Sequence, residues 1–102
     1  MIKISRLRNT ISITGHAEHD VEGKDIVCAG VSASAQLLAD ILEGLTATDV
    51  EVRKGHLYIK YARDIHTDII VAKFMKQMVM MEMQYPKNIE VEEREHADNS
   101  SN

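Results

Sequence analysis

Cys28 and His16 are the two side chains whose types and spacing could do chemistry together. Cys28 is the only cysteine in 102 residues, so no disulfide within the chain can use it. A thiol reacts as its thiolate, and the positive end of a helix favours that form. The run Asp25-Ile26-Val27-Cys28-Ala29-Gly30-Val31-Ser32 reads as a helix start. With Asp25 as N-cap, Cys28 is the third helical residue, among N–H groups that have no partner inside the helix. Those N–H groups would serve as donors to an oxyanion. His16, at the end of a strand-like stretch, would supply the base, since a Cys/His pair needs one hydrogen-bond contact to form a nucleophilic ion pair. The competing reading is an inert, buried thiol, which is common for free cysteines.

Asp25 and Ser32 stand three residues before and four after Cys28, so a helix presents all three on one side. Two roles are open for each. Asp25 orients His16 or caps the helix; Ser32 bonds the substrate or Asp25, or bonds only locally. Gly15 and Gly23 bracket a polar segment, with Ala17 directly after His16. That segment is a lid or substrate clamp, or a plain surface connection. Gly15, Ala17 and Gly23 are therefore candidate loop or substrate-binding residues. His19 and Asp20 could join His16 and Cys28 in a zinc set, but the spacing fits no zinc pattern, and the expectation is no metal and no cofactor. A redox role lacks a CxxC partner. His56 and His66 read as surface residues.

The elements that must position these groups follow from periodicity. Met1–Arg8 and Ile11–Thr14 alternate around Asn9-Thr10 as a hairpin, with Ile2, Ile4 and Leu7 on the buried side. Asp25–Gly44 is a helix with a wide apolar face (Ile26, Val27, Val31, Leu37, Leu38, Ile41, Leu42, Leu45), sandwiched against a sheet or a partner subunit. Thr48–Arg53 and His56–Tyr61 form a second hairpin around Lys54-Gly55. A second helix runs from about Ile65 to Tyr85, its methionines filling the core or a subunit interface, and Pro86 ends it. Ile89–Glu92 is a last strand. The order β-β-α-β-β-α-β implies an α+β fold, a mostly antiparallel sheet packed by two helices. Residues 1–95 make one domain, and 96–102 an acidic, disordered tail.

Charge narrows the function classes. Residues 1–89 carry eleven acids and eleven bases, so the formal net charge of −4 sits beyond them, where Glu90, Glu92, Glu93, Glu95 and Asp98 face Arg94 alone. No basic stripe marks a nucleic-acid surface. No apolar run reads as long enough to span a bilayer, and Met1-Ile2-Lys3-Ile4-Ser5-Arg6 lacks the apolar core of a signal peptide. A lone cysteine suits a reducing cytoplasm.

The combination Gly15-His16-Ala17 with Gly23-x-Asp25-Ile26-Val27-Cys28-Ala29-x-Val31-Ser32 resembles the ribosomal-processing cysteine proteases of bacteria, and the likeness extends over nearly the whole chain. The resemblance implies an endopeptidase that removes a short N-terminal extension from a large-subunit ribosomal protein, in support of ribosome assembly. It implies a catalytic dyad of Cys28 and His16, a homodimer, and a mobile cover between the dyad residues. It also implies a substrate motif ending in bulky aromatic residues at the cut. Members carry a second alanine after the cysteine where this chain has Gly30, and glycine there costs roughly 1 kcal/mol of helix propensity. The alternative is a non-catalytic assembly or interaction module that holds a basic ribosomal protein by its sheet edge or acidic tail.

Overall fold

The structure, a computed structural model, describes residues 1–15 and 22–94, and of residues 22–25 the backbone alone. The elements follow the expected order: β1 (Ile2–Leu7), β2 (Thr10–Gly15), α1 (Glu22–Leu45), β3 (Thr48–Arg53), β4 (His56–Tyr61), α2 (Ile65–Gln84) and β5 (Ile89–Arg94). The strands form one sheet in the order β3-β4-β2-β1-β5. Three of its pairings are antiparallel; β5 runs parallel to β1, Ile2 facing Ile89 and Ile4 facing Val91. The first turn falls on Arg8-Asn9, one residue earlier than expected, with Arg8 at φ 55°. Both hairpins thus close with two residues. The second has Gly55 at φ 76°, the conformation such tight turns demand.

Strand alternation decides which side chains enter the core. Ile2 and Ile4 on β1, Ile11 on β2, Ile59 and Tyr61 on β4 and Ile89 on β5 are buried on one face of the sheet. Leu7, expected among them, is 41% exposed. With a period of two it falls on the opposite face, and Arg6 takes the place behind Ile4. There Arg6 Nη1 donates to Glu93 Oε2 of β5 at 2.8 Å.

Both helices cover that same face. From α1 come Val27, Val31, Ala35, Leu38, Ala39 and Leu42; from α2 come Val71, Phe74, Met75 and Met78. Fully burying an aliphatic or aromatic side chain of this kind stabilises by about 1.5–3 kcal/mol. Only half of the wide apolar face expected for α1 goes inward: Ile26 is 69% and Leu37 61% exposed. The stretch Ile26–Leu45 is long and apolar enough by length and composition to cross a bilayer, contrary to the expectation that no run is. Its Val27–Leu42 stripe is nonetheless committed to the sheet, which makes it a core helix.

The two helix starts differ. At α2, the Thr67 N–H donates to Asp64 Oδ1 and the Asp64 N–H donates to Thr67 Oγ1, both at 2.8 Å. This reciprocal pair satisfies two otherwise orphan donors. The Thr67 N–H bond holds the Asp64 carboxyl below its ordinary range, and the Arg63 bond does the same for Asp68. At the other end Tyr85 N–H donates to Met81 O and Pro86 stops the helix. At α1 the helix begins at Glu22, three residues before the expected cap.

Candidate active site

The earlier start of α1 moves Cys28 from the first helical turn to the second. Asp25 has helical backbone and is not the N-cap; its side chain lies outside the described residues. Gly23, expected to close a loop, is helical as well, as are Glu22 and Lys24. The unpartnered N–H groups of α1 therefore belong to the turn before Cys28, while the Cys28 N–H lies within the helical ladder. This corrects the expectation that the N–H groups around Cys28 receive an oxyanion. The sulfur keeps the side of the helix that spacing assigned to it, together with Ser32. A helix turns 100° per residue, so these two stand roughly 160° around α1 from Gly30. Gly30 faces α2, where an added Cβ would sit 3.4 Å from Met81 Cε.

Cys28 is a free thiol, partly exposed and packed against the core. It lines a cleft of about 530 Å³ between α1 and the sheet. The floor is apolar, formed by Ile13, Val31, Ala35 and Leu57 among others. The rim is polar. Ser32 lies on it and accepts a hydrogen bond from Gln36 Nε2 at 3.0 Å, the local arrangement that spacing allowed. Arg53, ion-paired with Glu51, and His56 complete it from the tip of the second hairpin. His56 stacks on Tyr58 with ring centroids 5.8 Å apart, and its Nδ1 lies 3.1 Å from the Tyr58 hydroxyl.

Gly15 explains how the hairpins meet the helix. Its φ is +92°, and a Cβ there would stand 2.2 Å from the Met1 carbonyl oxygen. Its N–H donates to Gly55 O at 2.9 Å, tying the end of β2 to the second turn. Gly15 lines the same cleft as Cys28. The residue that precedes His16 in the chain is thus at the thiol's cleft. His16, Ala17, His19 and Asp20 lie outside the described residues, as do the rest of the segment to Val21 and the 95–102 end. Among the described residues no three His, Cys, Asp or Glu side chains gather as a metal set.

The hairpin residues Val52, Arg53, His56 and Leu57 were missed as parts of the site. His56 and His66 are exposed, as expected of surface residues, but His56 is exposed onto the cleft rim. No local signal carries this. It depends on β4 pairing with β2, with Leu57 opposite Ile13 and His56 opposite Thr14, across more than forty residues of chain.

The family model of "Cysteine protease Prp" matches residues 1–90. The chain belongs to the cysteine protease Prp family. It is a cysteine endopeptidase, and membership decides against the non-catalytic alternative. Among solved structures, the essential ribosomal processing protease Prp from S. aureus, in complex with a covalently linked product peptide, is 25% identical with a TM-score of 0.80. The match covers 92% of this chain and 100% of that one. The same S. aureus protease with a substrate peptide gives 24% identity and a TM-score of 0.81 over the same shares. A Streptococcus mutans protein shares the fold at 22% identity and a TM-score of 0.79, covering 94% of this chain and 96% of its own. No curated protein matches the chain.

Proposed function

We propose that this Prp-family peptidase removes a short N-terminal extension from a large-subunit ribosomal protein, with Cys28 as nucleophile and His16 as base. The observation that carries the assignment is the shared cleft: the partly exposed Cys28 and Gly15, the neighbour of His16, line one apolar hollow. The similar S. aureus protein, a ribosomal processing protease, supports the substrate class.

In this mechanism His16 takes the thiol proton and the sulfur attacks the scissile carbonyl carbon. The C–N bond then breaks as the same proton passes to the leaving amine, and water hydrolyses the thioester. Asp25 orients His16, and Ser32, already on the rim, bonds the substrate backbone. Gly15, Ala17 and Gly23 shape the substrate-binding segment around the dyad. The balanced charge of residues 1–89 supports a protein substrate rather than direct contact with nucleic acid. A reducing cytoplasm suits the free thiol.

The active form in this reading is a homodimer. Ile26 and Leu37 of α1, and Ile69, Met80 and Met83 of α2, are exposed on the helical layer; a second copy would cover them. The test is mass spectrometry of the ribosomal protein, with its native N-terminus, after incubation with wild type and with Cys28→Ala. One truncation seen only with wild type supports the assignment; an intact protein in both overturns the substrate.

A further inference from the structure

We infer that the substrate peptide adds to the free edge of β3 as a sixth strand, and that the residue opposite Val52 drops its side chain into the Cys28 cleft. The inference rests on the peptidase reading and deepens it.

The hairpin register shows which backbone groups are free. Arg53 faces His56 across the two-residue turn, so these two exchange hydrogen bonds, and the pattern alternates from there. Arg53, Glu51 and Asp49 bond to β4, whereas the N–H and C=O groups of Val52 and Val50 point away from it. Two contacts fit this phase: Gly15 N–H reaches Gly55 O and Tyr61 N–H reaches Asn9 O, both from odd-numbered positions of the β4 arm toward the β2 side. Since β3 ends the strand order, the outward groups face no strand among the described residues.

Side chains follow the same alternation. Val50 and Val52 lie on the helix-covered face of the sheet. Val50 packs against the core, while Val52 is 74% exposed and lines the cleft. A peptide residue paired with Val52, in either strand direction, places its side chain on that face. It would enter a hollow floored by Val31, Ala35 and Leu57, which suits a large apolar side chain. Its neighbours in the peptide would point to the opposite face, past the exposed carboxylate of Glu51. An extended peptide on this edge therefore runs between β3 and the Ser32–Gln36 flank of α1, beside the thiol. The other free edge, β5, carries Glu90, Glu92 and Glu93 and lies four strands away, at the far end of the sheet. Main-chain pairing supplies affinity without regard to sequence, and the pocket under alternate residues supplies selectivity.

The experiment measures binding of a fluorescent synthetic peptide spanning the scissile bond to the full Cys28→Ala protein, with single backbone N-methyl groups placed along the peptide. Strand addition predicts losses of about tenfold at every second residue and near-wild-type binding between them. Val52→Pro, which deletes one outward N–H and no β3–β4 bond, weakens binding of the unmodified peptide to a similar degree, whereas Val52→Ala weakens it less. Uniform tolerance of N-methylation, or sensitivity at a single residue, overturns the sixth strand even if wild type still cleaves the peptide. If wild type neither binds nor cleaves it, the substrate reading falls and the inference falls with it. The peptide scan leaves the protein edge unaltered, so misfolding of Val52→Pro would not mask the answer.

Discussion

The chain contains two ββα units that follow one local pattern and end with different tasks. In β3-β4-α2 the helix start is held by the Asp64–Thr67 reciprocal bonds and the Arg63–Asp68 pair, 2.9 Å at its shorter contact. Its inner face is filled by Val71, Phe74, Met75 and Met78. In β1-β2-α1 the helix packs equally well along Val27–Leu42, yet the flank that carries Cys28, Ser32 and Gln36 borders a cleft. The difference lies in what stands beside each helix. On the α2 side the sheet continues through β1 to β5; on the α1 side it stops at β3. One unit thus serves as scaffold, and its twin, missing a neighbour on one flank, holds the free thiol at the cleft.

That division of labour can be broken or sharpened by substitution. The largest effect belongs to Cys28→Ala, which is expected to lower peptide cleavage by at least about 10³-fold. The melting temperature should move little, because the lost sulfur is only partly buried. A steep fall in thermal stability alongside activity would mean that the first unit is scaffold too. Gly15→Ala comes next. Its positive φ and the 2.2 Å approach to the Met1 carbonyl allow no Cβ, so urea denaturation should show a loss of at least about 2 kcal/mol.

Thr67→Val probes the scaffold side. Thr67 is fully buried, and its hydroxyl accepts from the Asp64 N–H; its loss should destabilise by about 1–2 kcal/mol in the same titration while leaving kcat unchanged. A drop in kcat would couple the two units. Acid acts on this helix start as well. The Asp64 and Asp68 carboxyls are held low in the folded protein, by the Thr67 N–H and by Arg63 respectively. Their stabilisation is therefore complete above the ordinary carboxylate range of about 4, and is lost as pH falls through the lower folded values. Asp68→Asn should flatten the acid limb of a melting-temperature profile. The smallest change is expected from Gly30→Ala. Its Cβ meets only the flexible end of Met81 at 3.4 Å, so a helix-interior alanine should stabilise by about 0.5–1 kcal/mol with cleavage retained.

Much of the fold was legible because it is local. The second hairpin begins and ends where alternation and Lys54-Gly55 place it, and Pro86 stops α2 where proline must. The misreadings are those where local signals compete. Asp25 resembles a cap, but the helix takes in the three residues before it, and Leu7 is apolar yet falls on the wrong side of a strict two-residue period.

By itself, then, the order of residues determined the element types, the single thiol, its companions Asp25 and Ser32 on one helical side, and the motif that marks the family. These depend on spacings of two, three or four residues, over which backbone geometry is nearly invariant. Only the tertiary structure decided that β2 lies against β4, that β3 forms the edge, and that Val52, Arg53 and His56 border the cleft. Strand order is set by how whole sheet faces pair and bury their apolar sides, a long-range choice that no short window of sequence contains.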